Sequence, residues 1–225
     1  MAIYLIIGAG RFGRLALARL QERQPQAQFW VVDQDPAKLA PLANQPSVRV
    51  IEAPAVAGLA QALAQRTRPT WIIPAVPLHL AFAWLLLTPP PGADWQQLPV
   101  PLKLGQDLPF CQRGSQGEVY LSLATGRCPD DCPEPATRCS LTGVPRQRQL
   151  FAELQQTRVP GFQVLVLRSR QLAPGVGGYQ TVELYRLRDT VWQATGKMII
   201  CTACRCHGVC HGLVKVTQKE AEVGL

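Results

Sequence analysis

Seven of the eight cysteines fall in two short segments, and their spacing favours metal ligation over isolated thiols. The first segment has the pattern C-x3-C-x6-C and supplies Cys128, Cys132 and Cys139. The second has the pattern C-x2-C-x-C-x3-C and supplies Cys201, Cys204, Cys206 and Cys210. Thiolates select zinc, copper(I) or iron–sulfur centres. We therefore predict a metal centre in this part of the chain.

The identity of the metal depends on how the two segments combine. One economical solution completes Cys128, Cys132 and Cys139 with Cys201 or Cys204. Zinc sites often use two C-x2-C pairs, and Cys201 and Cys204 form the single such pair in the sequence. Uneven spacing with a remote fourth ligand suits a [4Fe–4S] cluster, so iron–sulfur is favoured and zinc is the alternative. Thiol redox chemistry at Cys201 and Cys204 is weaker, because it leaves the other cysteines unexplained.

A second candidate site lies near the N-terminus, where three glycines follow five apolar residues. Gly8, Gly10 and Gly13 form the pattern G-x-G-x-x-G directly after residues 3–7. Gly8 permits the tight turn, Gly10 leaves space for phosphates, and Gly13 lets the following helix pack close to its strand. The helix N-terminus then offers free N–H groups to an anion. This pattern predicts a nucleotide pyrophosphate site.

Asp33 ends the second predicted strand, 20 residues after Gly13. An acid at this place accepts hydrogen bonds from ribose hydroxyls. Its charge repels a 2′-phosphate and no arginine follows directly, so we expect NAD(H) rather than NADP(H). The predicted cofactor-binding residues are Gly8, Gly10, Arg11, Phe12, Gly13 and Asp33.

Residues 6–14, Ile-Ile-Gly-Ala-Gly-Arg-Phe-Gly-Arg, and residues 31–36, Val-Val-Asp-Gln-Asp-Pro, carry a family resemblance. They resemble the Rossmann nucleotide-binding domain of bacterial potassium-uptake regulators and channels, the RCK or KTN type. The resemblance covers roughly residues 1–45. It implies a nucleotide-binding fold and a regulatory role. It does not extend to the cysteine-rich half.

The elements that must position these sites alternate regularly over the first 87 residues, as four strand–helix pairs. This order predicts right-handed crossovers and a parallel sheet, with ligand at the C-terminal strand ends. Residues 89–117 are predicted to be a connector. Further strands and helices then surround the cysteine segments. The predicted fold class is α/β, with a Rossmann-like dinucleotide-binding domain at 1–100 and a cysteine-rich metal-binding α/β region at 101–225.

A second glycine-rich segment, residues 174–178, follows two arginines. Strand, glycine loop and helix are predicted to succeed one another here. Such a loop can hold a phosphate or carboxylate. We therefore predict an anionic small molecule near Arg168, Arg170 and Gly175.

Composition and charge indicate which classes of partner and which cellular compartment to expect. The formal net charge is +8, but no basic run or aromatic ladder occurs, so we expect no nucleic-acid partner. No signal peptide is recognised, and the apolar stretch at 71–87 is short and broken by Pro74 and Pro77. We expect a cytoplasmic protein without membrane insertion. In that compartment, eight cysteines favour metal or redox chemistry over structural disulfides.

These predictions together favour an NAD(H)-binding metalloprotein that acts as an oxidoreductase or electron-transfer protein. Direct exchange between a hydride carrier and an iron–sulfur centre needs a two-electron to one-electron converter, for which the sequence shows no site. The main alternative is a non-enzymatic, nucleotide-sensing regulatory subunit with a structural metal site. A scaffold without ligand is a third hypothesis. Besides the dinucleotide, the expected partner is a second copy of this chain or a redox partner, and the sequence does not choose between them.

Overall fold

The structure is a computed structural model that describes residues 1–217. Its strands are β1 Ile3–Ile7, β2 Gln28–Asp33, β3 Val48–Glu52, β4 Trp71–Pro74, β5 Ala93–Leu98, β6 Phe110–Arg113, β7 Val119–Ser122, β8 Phe162–Arg168, β9 Arg170–Ala173, β10 Val176–Gln180, β11 Lys197–Ala203 and β12 His207–Thr217. Its helices are α1 Arg11–Arg23, α2 Pro36–Leu39, α3 Ala55–Leu63, α4 Leu80–Leu86, α5 Leu150–Gln156 and α6 Thr181–Gln193, with a short 3-10 helix at Leu102–Gly105.

The chain divides into two compact units that are each discontinuous in sequence. Unit 1 contains residues 1–84, 130–133 and 170–184, and unit 2 contains the segments between and after them. The division predicted at residue 100 differs from this arrangement. Residues 85–100 belong to unit 2, and a late segment returns to unit 1.

Unit 1 is built on a six-stranded sheet in the order β3-β2-β1-β4-β10-β9. The first four strands are parallel, as the alternating sequence pattern predicts. All five residues of β1 are buried, which is why this strand is continuously apolar. The last two strands are antiparallel and form a hairpin whose turn contains Gly175, at φ +66°. The predicted glycine loop at 174–178 is therefore part of a strand pair that extends the sheet.

The chain leaves β1 in one direction toward β3 and returns to β4 on the other side. This reversal leaves a crevice at the C-terminal strand ends, where α/β proteins bind ligands. The residues predicted to bind a nucleotide lie directly after β1 and at the end of β2, on this edge. The topology thus places them beside one crevice.

Unit 2 contains a second six-stranded sheet. Its main order is β6-β7-β12-β11-β8, and β5 also pairs with β12. The pair β8 and β11 is parallel, whereas the other pairs are antiparallel. Helix α5 buries Leu150, Phe151 and Leu154 in the core of this unit.

Two segments predicted as loops or connectors are ordered in this sheet. The connector at 89–117 contains β5, the 3-10 helix and β6. The cysteine segment at 201–210 spans the hairpin between β11 and β12. Within residues 1–217, no helix has the length and apolar content needed to cross a bilayer.

Candidate functional site

The turn after β1 has the geometry that its glycines predict. Gly8 has φ +106°, and a Cβ at this position would lie 2.6 Å from the carbonyl oxygen of Ala75. Both facts require glycine. The Gly8 amide donates to the carbonyl of Val32 at 2.7 Å, which ties the turn to β2.

Gly13 has no room for a side chain, whereas Gly10 faces open space. A Cβ on Gly13 would lie 1.8 Å from the carbonyl oxygen of Gly8, so the helix can pack this closely with glycine alone. A Cβ on Gly10 would meet no atom within 4 Å. Gly10 precedes the first turn of α1, and no side chain caps this helix. The open space at Gly10 therefore faces uncapped helix N–H groups, as a pyrophosphate site requires.

Asp33 closes the same crevice from the end of β2. Its carboxylate accepts the Ala9 amide at 2.7 Å and the Asp35 amide at 3.0 Å. Lys38 lies 3.9 Å away. Burial opposes ionisation of this carboxyl group, but the amide hydrogen bonds and the lysine charge outweigh it and lower the pKa of Asp33. The structure thus holds a negative charge beside the glycine turn.

A cleft of about 400 Å³ lies at the C-terminal end of β4. Its described lining is made of apolar side chains, prolines and glycines: Phe12, Ala16, Ile73, Pro74, Ala75, Val76, Pro77, Gly175, Val176 and Gly177. His79 is buried and stacks on Phe82, with ring centroids 5.8 Å apart. The cleft is large enough for a small planar ring and offers it an apolar surface.

Residues 130–133 pack against α1 and the turn between β9 and β10 in unit 1. The sequence did not predict this contact. The Asp130 carboxylate pairs with the Arg11 guanidinium, in the glycine turn. Arg19 donates to the Asp130 carbonyl at 3.1 Å. The Cys132 carbonyl accepts the Gly175 amide at 2.9 Å. The contact between Arg11 and Asp130 has no local sequence signal, because it joins residues 119 positions apart.

The predicted anion site is not assembled by the structure. Arg170 forms a two-pronged ion pair with Glu183, and Arg168 stacks over the ring of Phe151. Gly175 packs against the Asp130 backbone. The two arginines thus have protein partners, and they belong to different units.

Two of the predicted metal ligands are bonded to each other. Cys201 on β11 and Cys210 on β12 face one another across the hairpin and form a disulfide. Both are fully buried. Neither sulfur is a free thiolate, contrary to the metal-ligand prediction for these two residues, in a chain whose cysteines were expected to favour metal or redox chemistry over structural disulfides.

The remaining thiols separate into small groups. In unit 2, the His207 ring lies between Cys128 at 3.8 Å from Nε2 and Cys204 at 4.0 Å from Nδ1. Burial, followed by the nearby Glu134 carboxylate, raises the pKa of Cys204 to about 12. Cys132 belongs to unit 1. Across the described part of the chain, no group of three or more His, Cys, Asp or Glu side chains has an arrangement suited to a metal ion.

The donor set described here therefore does not fit the predicted zinc or iron–sulfur centre. Cys128 of the first cysteine segment and Cys204 of the second both lie beside the His207 ring. Sequence reasoning missed Glu134, whose carboxylate accepts the Arg205 amide at 2.6 Å and holds the hairpin turn. It also missed Arg146, which donates to Cys206.

Comparisons with known proteins agree with the N-terminal geometry. A family model described as "TrkA-N domain" matches residues 4–68, and one described as "Uncharacterized protein, C-terminal domain" matches residues 78–216. A protein of Archaeoglobus fulgidus described as "Uncharacterized protein" is 27% identical over 225 residues, covering 91% of this chain and 96% of that protein. No solved structure matches the chain. The TrkA-N match confirms the resemblance to the potassium-regulator domain.

Proposed function

Since this chain belongs to the family of that C-terminal domain and carries a TrkA-N domain ahead of it, we propose that it is a regulatory module that binds NAD(H) at the glycine turn. The observation that carries the proposal is the arrangement of Gly8, Gly10, Gly13 and Asp33. Three glycines leave the end of α1 open, and one fixed carboxylate stands beside it.

In this proposal each group contacts one part of the dinucleotide. The uncapped amides of α1 bind the pyrophosphate, over Gly10. Asp33 accepts hydrogen bonds from the adenosine ribose through the lone pairs that Ala9 and Asp35 leave free. The ionised carboxylate repels a 2′-phosphate, so NAD(H) binds more tightly than NADP(H). The apolar cleft beside β4 receives the nicotinamide ring.

A regulatory role is favoured over catalysis by the lining of this cleft. Hydride transfer to a carbonyl or from an alcohol needs a group that gives or takes a proton. The described residues lining the cleft are apolar or contribute only backbone. His79 lies near it in sequence but is buried against Phe82. Binding that changes conformation requires no such proton donor.

An NAD(H)-dependent oxidoreductase is the second candidate, and the size of the cleft favours it. About 400 Å³ accommodates a nicotinamide ring together with a small substrate. If the protein steadily consumes NADH with a carbonyl compound or a quinone, the oxidoreductase candidate replaces the regulatory one. The proposed dinucleotide site would be unaffected by that result. Neither candidate function includes a metal-dependent step.

The binding proposal is tested by calorimetry with NADH, NAD+, NADPH and ATP. We expect NADH or NAD+ to bind at least about tenfold more tightly than NADPH, a difference of 1.4 kcal/mol. Gly10→Ala places a methyl group in the phosphate space and should weaken binding by a similar factor without changing the melting temperature. Glu22→Ala, on the exposed far end of α1, is the matched control and should bind as the wild type does. Equal affinity of Gly10→Ala and wild type for NADH would refute the site.

A further inference from the structure

A four-residue segment, residues 130–133, brings a carboxylate to the proposed dinucleotide site. This strap belongs to unit 1, although the chain enters it from unit 2 and returns to unit 2 after it. Pro129 precedes the strap and Pro133 ends it, and each proline fixes its own φ. The proposed function, as stated so far, gives the strap no role.

The backbone of the strap is held on unit 1 by hydrogen bonds to its carbonyl groups. The Cys132 carbonyl accepts the Gly175 amide at 2.9 Å and Nε2 of Gln171 at 2.7 Å. The Asp130 carbonyl accepts Nη1 of Arg19 at 3.1 Å. A Cβ on Gly175 would lie 1.8 Å from the Asp130 carbonyl oxygen, so the strap packs directly on the turn between β9 and β10. None of these contacts uses the glycine turn after β1, so they can persist when a ligand binds there.

The side chain of Asp130, by contrast, reaches the glycine turn. Its carboxylate forms an ion pair with the guanidinium of Arg11. Arg11 is the first residue of α1 and directly follows Gly10, where the backbone leaves space for phosphates. The Arg11 side chain is 70% exposed, so a ligand that arrives from solvent can contact it. An arginine beside the phosphate space therefore pairs with an anion of the protein itself.

A dinucleotide phosphate and the Asp130 carboxylate are alternative partners for this arginine. Arg11 is among the predicted cofactor-binding residues, and guanidinium groups pair with carboxylates and phosphates through the same parallel N–H···O bonds. Two anions at one guanidinium also repel each other. Because the backbone hydrogen bonds keep the strap in place, its carboxylate is present at a high effective concentration. Each anion therefore weakens the binding of the other.

We propose that Asp130 is an intramolecular competitor of the dinucleotide: its carboxylate and the pyrophosphate of NAD(H) compete for the guanidinium of Arg11. The inference rests on the proposed function, because it requires a dinucleotide at the glycine turn. The coupling is reciprocal, so the carboxylate weakens NAD(H) binding by the same factor by which bound NAD(H) weakens the ion pair. The contact raises the nucleotide concentration at which the regulatory module responds, and loss of the ion pair signals occupancy to the strap.

The test is calorimetry of NADH binding to the whole chain. Asp130→Asn keeps the size of the side chain and removes its charge. It should bind NADH about two- to fivefold more tightly than the wild type, the range expected for the loss of an exposed ion pair. Added NaCl should reduce this difference, because salt screens exposed charges. Asp131→Asn is the matched control, since it removes the same charge from the exposed neighbouring residue, and it should bind NADH as the wild type does.

A double-variant cycle shows whether the effect depends on the arginine. Arg11→Gln alone should weaken NADH binding, and adding Asp130→Asn to it should leave the affinity unchanged. Because the expected effect of Asp130→Asn alone is a gain in affinity, a misfolded variant cannot imitate it.

Three results would overturn the competition. They are an Asp130→Asn variant that binds NADH no more tightly than the wild type, an equal gain in Asp131→Asn, or an equal gain from Asp130→Asn in the Arg11→Gln background. Each of them leaves the proposed dinucleotide site intact, because the wild type still binds. If the wild type binds no dinucleotide, the proposed function fails and the competition fails with it.

Discussion

Asp33 connects the glycine turn to the end of β2 through two amide hydrogen bonds. With 11% of its side chain exposed, it is shielded enough for these bonds to contribute to stability. A hydrogen bond to a charged group is worth about 1.5–3 kcal/mol. The same carboxylate therefore serves the fold before it contacts any nucleotide.

The lowered pKa of Asp33 predicts how its contribution depends on pH. The folded chain holds the carboxylate ionised below its ordinary pKa of 3.8, so the stabilisation is complete above that pH and disappears as pH falls through the folded-state pKa. Asp33→Asn should lower the free energy of unfolding by about 1–3 kcal/mol at neutral pH. Urea unfolding of both proteins should show this difference shrinking below pH 3.8. A difference that stays constant down to the lowest pH would contradict the ionised state of Asp33.

Residues of the glycine turn are predictable because their roles depend on neighbours in sequence. A positive φ after a strand, or a helix that touches its own turn, is encoded within about ten residues. The position of Arg146 beside Cys206 is not encoded in this way, since 60 positions separate them. Spacing therefore predicted the turn geometry at Gly8, Gly10 and Gly13, whereas it treated as one ligand set seven cysteines that the structure divides into a disulfide and smaller groups.

The hairpin of β11 and β12 shows why an element can be misread from composition. Its turn region is rich in cysteine, glycine and histidine, which suggested a ligand loop. The strands alternate nonetheless: Cys201 and Ala203 are buried, whereas Thr202 between them is partly exposed. β12 then pairs with β11 on one side and with β7 and β5 on the other. Because β12 pairs with strands that are distant in sequence, it lies inside the sheet. A local sequence pattern cannot show these partners.

The disulfide between the two strands predicts a stability effect of this element. A double variant, Cys201→Ala with Cys210→Ala, removes the cross-link between positions nine residues apart. A link of this loop length stabilises by about 2–3 kcal/mol. Guanidinium unfolding without reductant should show a lower midpoint for the variant, and Cys128→Ala, which removes a partly exposed cysteine outside the disulfide, is the control. Equal midpoints for wild type and double variant would show that the sulfurs are not bonded.

At the scale of the molecule, unit 1 depends on strands from late in the sequence. Tyr179 and Gln180 of β10 pair with Ile72 and Trp71 of β4. Tyr179 is 1% exposed, and Ala173 and Val176 belong to the core that also includes Leu17. No local signal relates these segments, so the sequence suggested a boundary at residue 100. The α/β class and the parallel order were predictable, because each crossover is local.

This arrangement predicts the behaviour of fragments. A fragment of residues 1–100 leaves β4 at the edge of the sheet and removes the β10 side chains from the core, so it should aggregate or melt well below the intact chain. Residues 1–84 joined to 170–184 by a flexible Gly/Ser linker should regain NADH binding and a higher melting temperature. Circular dichroism and calorimetry measure both. A stable, NADH-binding 1–100 fragment would show that β9 and β10 are dispensable.

The interleaved path also has a consequence for synthesis of the protein in the cell. About 100 residues separate β4 from β10 along the chain. At 5–20 residues per second, a ribosome takes about 5–20 s to deliver them. Throughout that interval the nascent nucleotide-binding sheet has an unpaired β4 edge. Completion of the sheet on the ribosome must therefore wait until most of the chain has emerged.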